Sequence, residues 1–217
     1  MKTENHSLKA TQLDPMFGVN YDLGYVGFVR HMRPGTFSRG ITYFSRWDRM
    51  SDISVTHTFL VVAPNACVEA RWRGGVRLTP LSDYFNSDDQ VFFRKPVLYS
   101  QLTGQLMSDA ARREIGKRYD KKLIIAHALI GSLAFRIMNK ARWGFSGNTL
   151  ARLLDTPDAF ICSELVAHVM GRFTEYCNRG CLRWPSSRIT PQKLFEDIEL
   201  FEPWKNQNEA TKENDHG

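Results

Sequence analysis

Cys162, His57 and Glu69 have the side-chain types and the placement for acyl-transfer chemistry. Cys162 follows Asp158-Ala-Phe-Ile and precedes Ser-Glu-Leu-Val, at the start of a predicted helix. A cysteine there faces unpaired backbone N–H groups and the positive end of the macrodipole, and both favour thiolate over thiol. The same N–H groups can form part of an oxyanion hole. Cysteine is also a common small buried residue, so its position alone does not decide. A nucleophilic thiol needs a base, and histidine is the usual one. His57 lies within the most strand-like segment of the chain, sharing a face with Phe59 and Val61, and its ring nitrogens need partners. Glu69 sits in the following strand, between Cys67-Val68 and Ala70. If the strands form a hairpin about Pro64-Asn65, positions 57 and 69 fall near opposite each other. A cross-strand carboxylate would fix the imidazole tautomer and stabilise its charged form, and a buried carboxylate with no partner would be costly.

The elements that must position these residues follow from periodicity and punctuation. Ser54 to Ala63 is rich in β-branched residues and ends at a turn signal, Pro64-Asn65. Cys67 to Trp72 is the next strand, Gly74-Gly75 breaks it, and Val76 to Leu78 resumes. Gly24 to Arg30 and Val91 to Arg94 are further strands. Helices are expected over Ser38 to Arg49, over Asp109 to Gly116 with Ser108 as cap, and over Leu123 to Lys140. Ile161 to Phe173 is a helix with Leu165, Val166, Val169, Met170 and Phe173 inward, and Thr190-Pro191 opens a last short one. The fold class is α+β, a small antiparallel sheet packed against helices. Residues 1–20 read as a polar lead-in, 21–203 as one domain and 204–217 as a polar tail.

Composition narrows the function classes. The chain has 217 residues, 42% hydrophobic and 24% charged, which is globular composition and excludes a mostly disordered chain. Lys plus Arg is 29 and Asp plus Glu 23, a net charge of +6 that permits an anionic partner without requiring one. The excess is spread over two groups, Arg71, Arg73, Arg77 and Arg112, Arg113, Lys117, Arg118, Lys121, Lys122. Both groups are consistent with solvated faces. Cys67, Cys162, Cys177 and Cys181 are too few and too uneven for a disulfide scaffold. The first 20 residues carry no apolar signal core. Leu123 to Met138 falls short of a minimal span of about 17 residues and is interrupted by His127 and Arg136. The expectation is a soluble, cytoplasmic protein.

These residues resemble a family. The pieces Thr56-His57, Val68-Glu69-Ala70, Gly75-Val76, Gly116-Lys-Arg-Tyr119-Asp120 and Cys162-Ser163-Glu164-Leu165-Val166, closed by Thr190-Pro191, look like the circularly permuted papain-like cysteine hydrolases of the NlpC-type superfamily, the YiiX/YebB-like group. The similarity covers roughly residues 22 to 200, and the His strand precedes the Cys helix, as in a permuted member. The resemblance implies Cys162 as nucleophile, His57 as base, Glu69 as orienting residue and Tyr119 as a site-lining or oxyanion residue, with Glu164 holding the Cys helix. It implies no metal or other cofactor, and a peptide-like, acyl or lipid-linked substrate. The chain departs from the family pattern at Asp22-Leu-Gly24-Tyr and at Thr56-His57-Thr58-Phe59, where bulky Phe59 would narrow the pocket.

Triad chemistry of this kind serves amidase, peptidase, thioesterase and acyltransferase alike. Two rivals come from other classes. Cys177-Asn-Arg-Gly-Cys181, with His168 upstream, could be half of a zinc site, although no second pair is evident. A catalytically idle papain-like module could instead bind nucleic acid or anionic lipid through the basic groups, although no nucleic-acid motif supports it.

Overall fold

The computed structural model describes residues 15–32, 53–71, 74–119 and 159–203, with the side chains of Tyr119, Ala159, Phe160 and Ser187 left out. The expected helices at 38–49 and 123–140, Arg73, and the tail from 204 lie outside the described residues.

Alternation builds the sheet. Strand β1 (Val26–Arg30) pairs with β2 (His57–Ala63), and β2 turns at Pro64-Asn65 into β3 (Ala66–Arg71). Gly74 and Gly75, both at positive φ, turn the chain into β4 (Gly75–Pro80), and β5 (Gln90–Arg94) returns beside β1. The order is β4-β3-β2-β1-β5, antiparallel throughout. A second, two-stranded parallel pair joins β6 (Arg118–Tyr119) to β7 (Ala159–Phe160). The helices are α1 (Ser82–Phe85), α2 (Gln101–Arg112), α3 (Cys162–Met170) and α4 (Pro191–Phe195). This is the expected α+β arrangement.

The sheet buries both faces. On one, Val26, Phe28, Leu60, Val62, Val68 and Ala70 pack against Met107 and Ala111 of α2 and Leu165, Val166 and Val169 of α3. On the other, Val29, Phe59, Val61 and Cys67 are covered by Tyr21, Leu81 and Tyr84. Because side chains alternate along β2, His57 belongs to the second face while α3 packs on the first.

Two expectations need correction. Ser108 does not cap a helix: α2 starts seven residues earlier, at Gln101, with Ser100 accepting from the Thr103 N–H at 3.0 Å. Ser108 is buried inside α2, where its hydroxyl donates to the Val62 carbonyl at 3.1 Å. A serine in a helical pattern is ambiguous, and here a tertiary acceptor on β2 decided it. Strand β2 also begins at His57 rather than Ser54, because Gln192 of α4 takes over the preceding backbone. Its side chain accepts from the Val55 N–H at 2.8 Å and donates to the Ile53 carbonyl at 3.0 Å. Helix α4 itself starts where Thr190-Pro191 foretold, with Thr190 accepting from the Lys193 N–H at 3.1 Å.

Gly27 of β1 sits opposite Phe59, and a Cβ there would overlap the Phe59 ring. Gly27→Ala is therefore expected to destabilise the fold by about 1–3 kcal/mol, measured by urea unfolding. Gly27→Ala with Phe59→Leu, which opens that space, is expected to cost less than the sum of the two single changes.

Candidate active site

Cys162 is the first residue of α3, and the first intrahelical bond runs from the Leu165 N–H to the Ile161 carbonyl. The N–H groups of Cys162 and Ser163 thus precede the helical ladder. The neighbours of the thiol anchor this helix start. Glu164 accepts from the Ile161 N–H at 3.4 Å and from the Ser186 hydroxyl at 2.9 Å, and Ser163 donates to the Ile189 carbonyl at 2.5 Å. Glu164 therefore ties the start of the Cys helix to the turn at Ser186. The Cys162 thiol is free and only 4% exposed.

His57, 12% exposed, stands between two partners. Its Nε2 meets Glu69 Oε2 at 2.6 Å, and its ring lies close enough to Cys162 for the two to interact electrostatically. With Nε2 committed to Glu69, Nδ1 is the nitrogen left for the thiol. Burial alone would push the imidazole down. Cys162 first and then Glu69 outweigh it, raising His57 from 6.5 to about 9.

Glu69 has no exposed surface. Its Oε1 accepts from Thr79 Oγ1 at 2.6 Å and from Arg71 Nε at 2.7 Å, with Arg77 Nε and Nη2 farther off at 3.4 Å. Its Oε2 accepts from His57 and from the Tyr84 hydroxyl. Burial pushes this carboxyl up, but His57 and then Arg71 hold it well below the usual carboxylate range. Tyr84 accepts in turn from Arg71 Nη2 at 2.9 Å, and its ring stacks on Phe59 with centroids 4.9 Å apart. Burial and the neighbouring carboxylate push the Tyr84 phenol far above its ordinary range, so it stays a donor.

The three residues singled out for chemistry thus come together, but not by the expected register. Leu60 faces Val68 and Val61 faces Cys67, and continuing that pairing sets Phe59 opposite Glu69. His57 reaches Glu69 on the diagonal, a distance that a histidine and a glutamate can bridge. An irregularity at Val61/Ala63 shifts the hairpin from the symmetric count. Phe59 is fully buried against Tyr84 and Gly27, so it fills the layer beside Glu69. The Gly75-Val76 and Gly116 pieces meet: Val76 N–H donates to the Lys117 carbonyl and Gly116 N–H to the Val76 carbonyl, both at 2.8 Å. From there β6 pairs Tyr119 with Phe160, two residues before Cys162. The Tyr119 backbone is placed beside the approach to the thiol, and its side chain lies outside the description.

Sequence reasoning missed Thr79 and Tyr84, and it treated Arg71 and Arg77 as a charged surface group. Alternation could have found Arg71, two residues from Glu69 on the same face. Tyr84 lies on a four-residue helix with no apolar period to announce it. Cys177 is exposed and Cys181 buried, and among the described residues no cluster of three His, Cys, Asp or Glu could hold an ion. His168 instead faces Glu114 and Arg172. Also among the described residues, no helix is long and apolar enough to cross a membrane.

The chain matches no model of a known protein family, and no curated protein matches it.

Two outcomes follow from this electrostatic arrangement. Glu69→Gln removes the anion that three cationic side chains face, and is expected to cost about 3–5 kcal/mol in urea unfolding. Folding raises the His57 pKa, so its stabilisation is complete below pH 6.5 and is lost as pH rises through about 9. Across that window the unfolding free energy of the wild type is expected to fall more steeply than that of His57→Gln, with denaturation at half-unit pH steps as the measurement.

Proposed function

We propose that the protein is a cysteine-dependent hydrolase or acyltransferase with a permuted papain-like fold, acting on an amide, thioester or ester carbonyl. The observation that carries this reading is the position of His57, bonded to Glu69 through Nε2 and near enough to Cys162 to be coupled to it by charge. The arrangement of a buried thiol at a helix start, an imidazole and a desolvated carboxylate has the order of contacts that nucleophile, base and orienting group require.

In this reading the thiol proton already rests on His57 Nδ1, as the imidazolium of a thiolate–imidazolium pair, and the Cys162 sulfur bonds to the carbonyl carbon. The carbonyl oxygen takes the displaced electron pair and lies against N–H groups at the start of α3. As the tetrahedral intermediate collapses, the bond to the leaving group breaks and His57 donates its proton to the departing nitrogen, sulfur or oxygen. A thioester of Cys162 remains. Water, or an acceptor alcohol, amine or thiol, attacks it while His57 takes the proton, and the thiolate leaves to restore the ion pair. Glu69 keeps Nε2 protonated throughout, so Nδ1 alone carries the transferred proton.

The test is alkylation of Cys162 by iodoacetamide, resolved from the other three cysteines by mass spectrometry. At pH 6 a free thiol of reference pKa about 8.5 is only about 0.3% thiolate. Cys162 is expected to label much faster than Cys67 at that pH, and His57→Ala to slow it about a hundredfold. Labelling no faster than Cys67 and indifferent to His57 would overturn the proposal.

A further inference from the structure

One carboxylate in the site faces three cationic side chains: Glu69 meets His57, Arg71 and Arg77. Keeping Glu69 ionised does not require three. Arg71 and Arg77 both aim at the same oxygen, Oε1, from neighbouring strands, which holds two like charges close together. Each is also turned partly to solvent, 39% and 41% exposed. Arg71 uses Nε and Nη2 for Glu69 and Tyr84, and Arg77 uses Nε and Nη2 for Glu69. Among the described residues, Nη1 of both guanidinium groups has no partner. Asp83 on α1 is exposed and makes no ion pair with either arginine among those residues. Arg118 of β6 adds another exposed positive charge near the start of β4.

Arg71 closes β3 at the end of the sheet where β2 begins with His57, and the continued β2–β3 register sets the two opposite each other. The β6–β7 pair delivers the chain to Cys162 at this same end, against the start of β4. An anion bound there would relieve the crowding of two guanidinium groups and sit beside the reacting atoms.

We propose that Arg71 and Arg77 form a subsite for a carboxylate carried by the substrate, so that the enzyme acts on anionic acyl or amide compounds. The inference rests on the cysteine-hydrolase reading and names its substrate class. Two guanidinium edges offer the paired N–H donors that planar carboxylates accept. Tyr84 and Glu69 hold Arg71 in place before substrate arrives, so less side-chain freedom is lost on binding.

The experiment uses the full chain and matched electrophiles: N-iodoacetylglycine against N-iodoacetylglycinamide, and the corresponding pair on γ-aminobutyrate to vary the reach. Rates are read by mass spectrometry at Cys162, with exposed Cys177 as the reference thiol in the same sample. For at least one arm length the acid is expected to label Cys162 about tenfold faster than its amide, once normalised to Cys177. Arg77→Gln is expected to reduce that preference at least about threefold, Arg77→Lys to retain more of it, and Arg118→Gln to change it less than Arg77→Gln. A preference no greater at Cys162 than at Cys177, or equal in wild type and Arg77→Gln at both arm lengths, would overturn the subsite while leaving the nucleophile standing. Failure of Cys162 to react with any of the four probes would instead overturn the cysteine-hydrolase reading itself. Thermal unfolding confirms that each variant compared is folded, and the lysine and Arg118 variants decide the matter if Arg77→Gln is not.

Discussion

The structure turns on a carboxylate placed where no water reaches it. A desolvated anion costs several kcal/mol unless its lone pairs are filled and its charge is matched. Glu69 meets that demand with side chains from four elements: His57 from β2, Arg71 from β3, Arg77 and Thr79 from β4 and Tyr84 from α1. Arg71 and Tyr84 are also bonded to each other. The Glu69 cluster therefore fixes the relative positions of three strands and the short helix that covers them. Loss of the charge would leave the cations facing one another, which is why the carboxylate and its donors behave as a unit.

His57 gains its orientation from that unit. It occupies the first position of β2, at one end of the central strand of a sheet whose two faces carry separate apolar layers. From inside the strand a side chain could meet only one layer. At the strand's start, one imidazole can touch Glu69 on the cover side and Cys162 at the tip of a helix belonging to the opposite layer. Gln192 sets the strand's starting point, and Glu164 with Ser163 sets the helix tip. The groups around the thiol are thus tied to α4 and to the turn at Ser186–Arg188 rather than to each other alone.

Much of this was legible from residue type and order. The β-branched run before Pro64-Asn65, the Gly74-Gly75 break and the Thr190-Pro191 start each appear where local chemistry demanded them. What escaped was tertiary. Ser108 looked like a cap because a serine before Asp109 fits a helix start, and only the Val62 carbonyl shows why it is buried in mid-helix. The hairpin register was miscounted because the count was centred on residue 63 rather than on the turn that sets Ala63 against Ala66, and an irregularity then shifts the pairing by one residue. Tyr84 and Thr79 carry no periodic signal toward Glu69, and their role exists only once β4 and α1 fold over it. Arg71 and Arg77 looked like surface charge because their inner edges and outer edges do different things.

The central claim is that His57 is charge-coupled to both Cys162 and Glu69. Nitrogen-15 NMR of the histidine ring tests it most directly, with the spectrum of His57 assigned by its loss in His57→Gln. The account predicts both ring nitrogens protonated at pH 7.5, titration near pH 9, and a fall in that midpoint in Cys162→Ala. A neutral ring at pH 7.5, with a midpoint near the ordinary 6.5 that Cys162→Ala leaves unchanged, would contradict it.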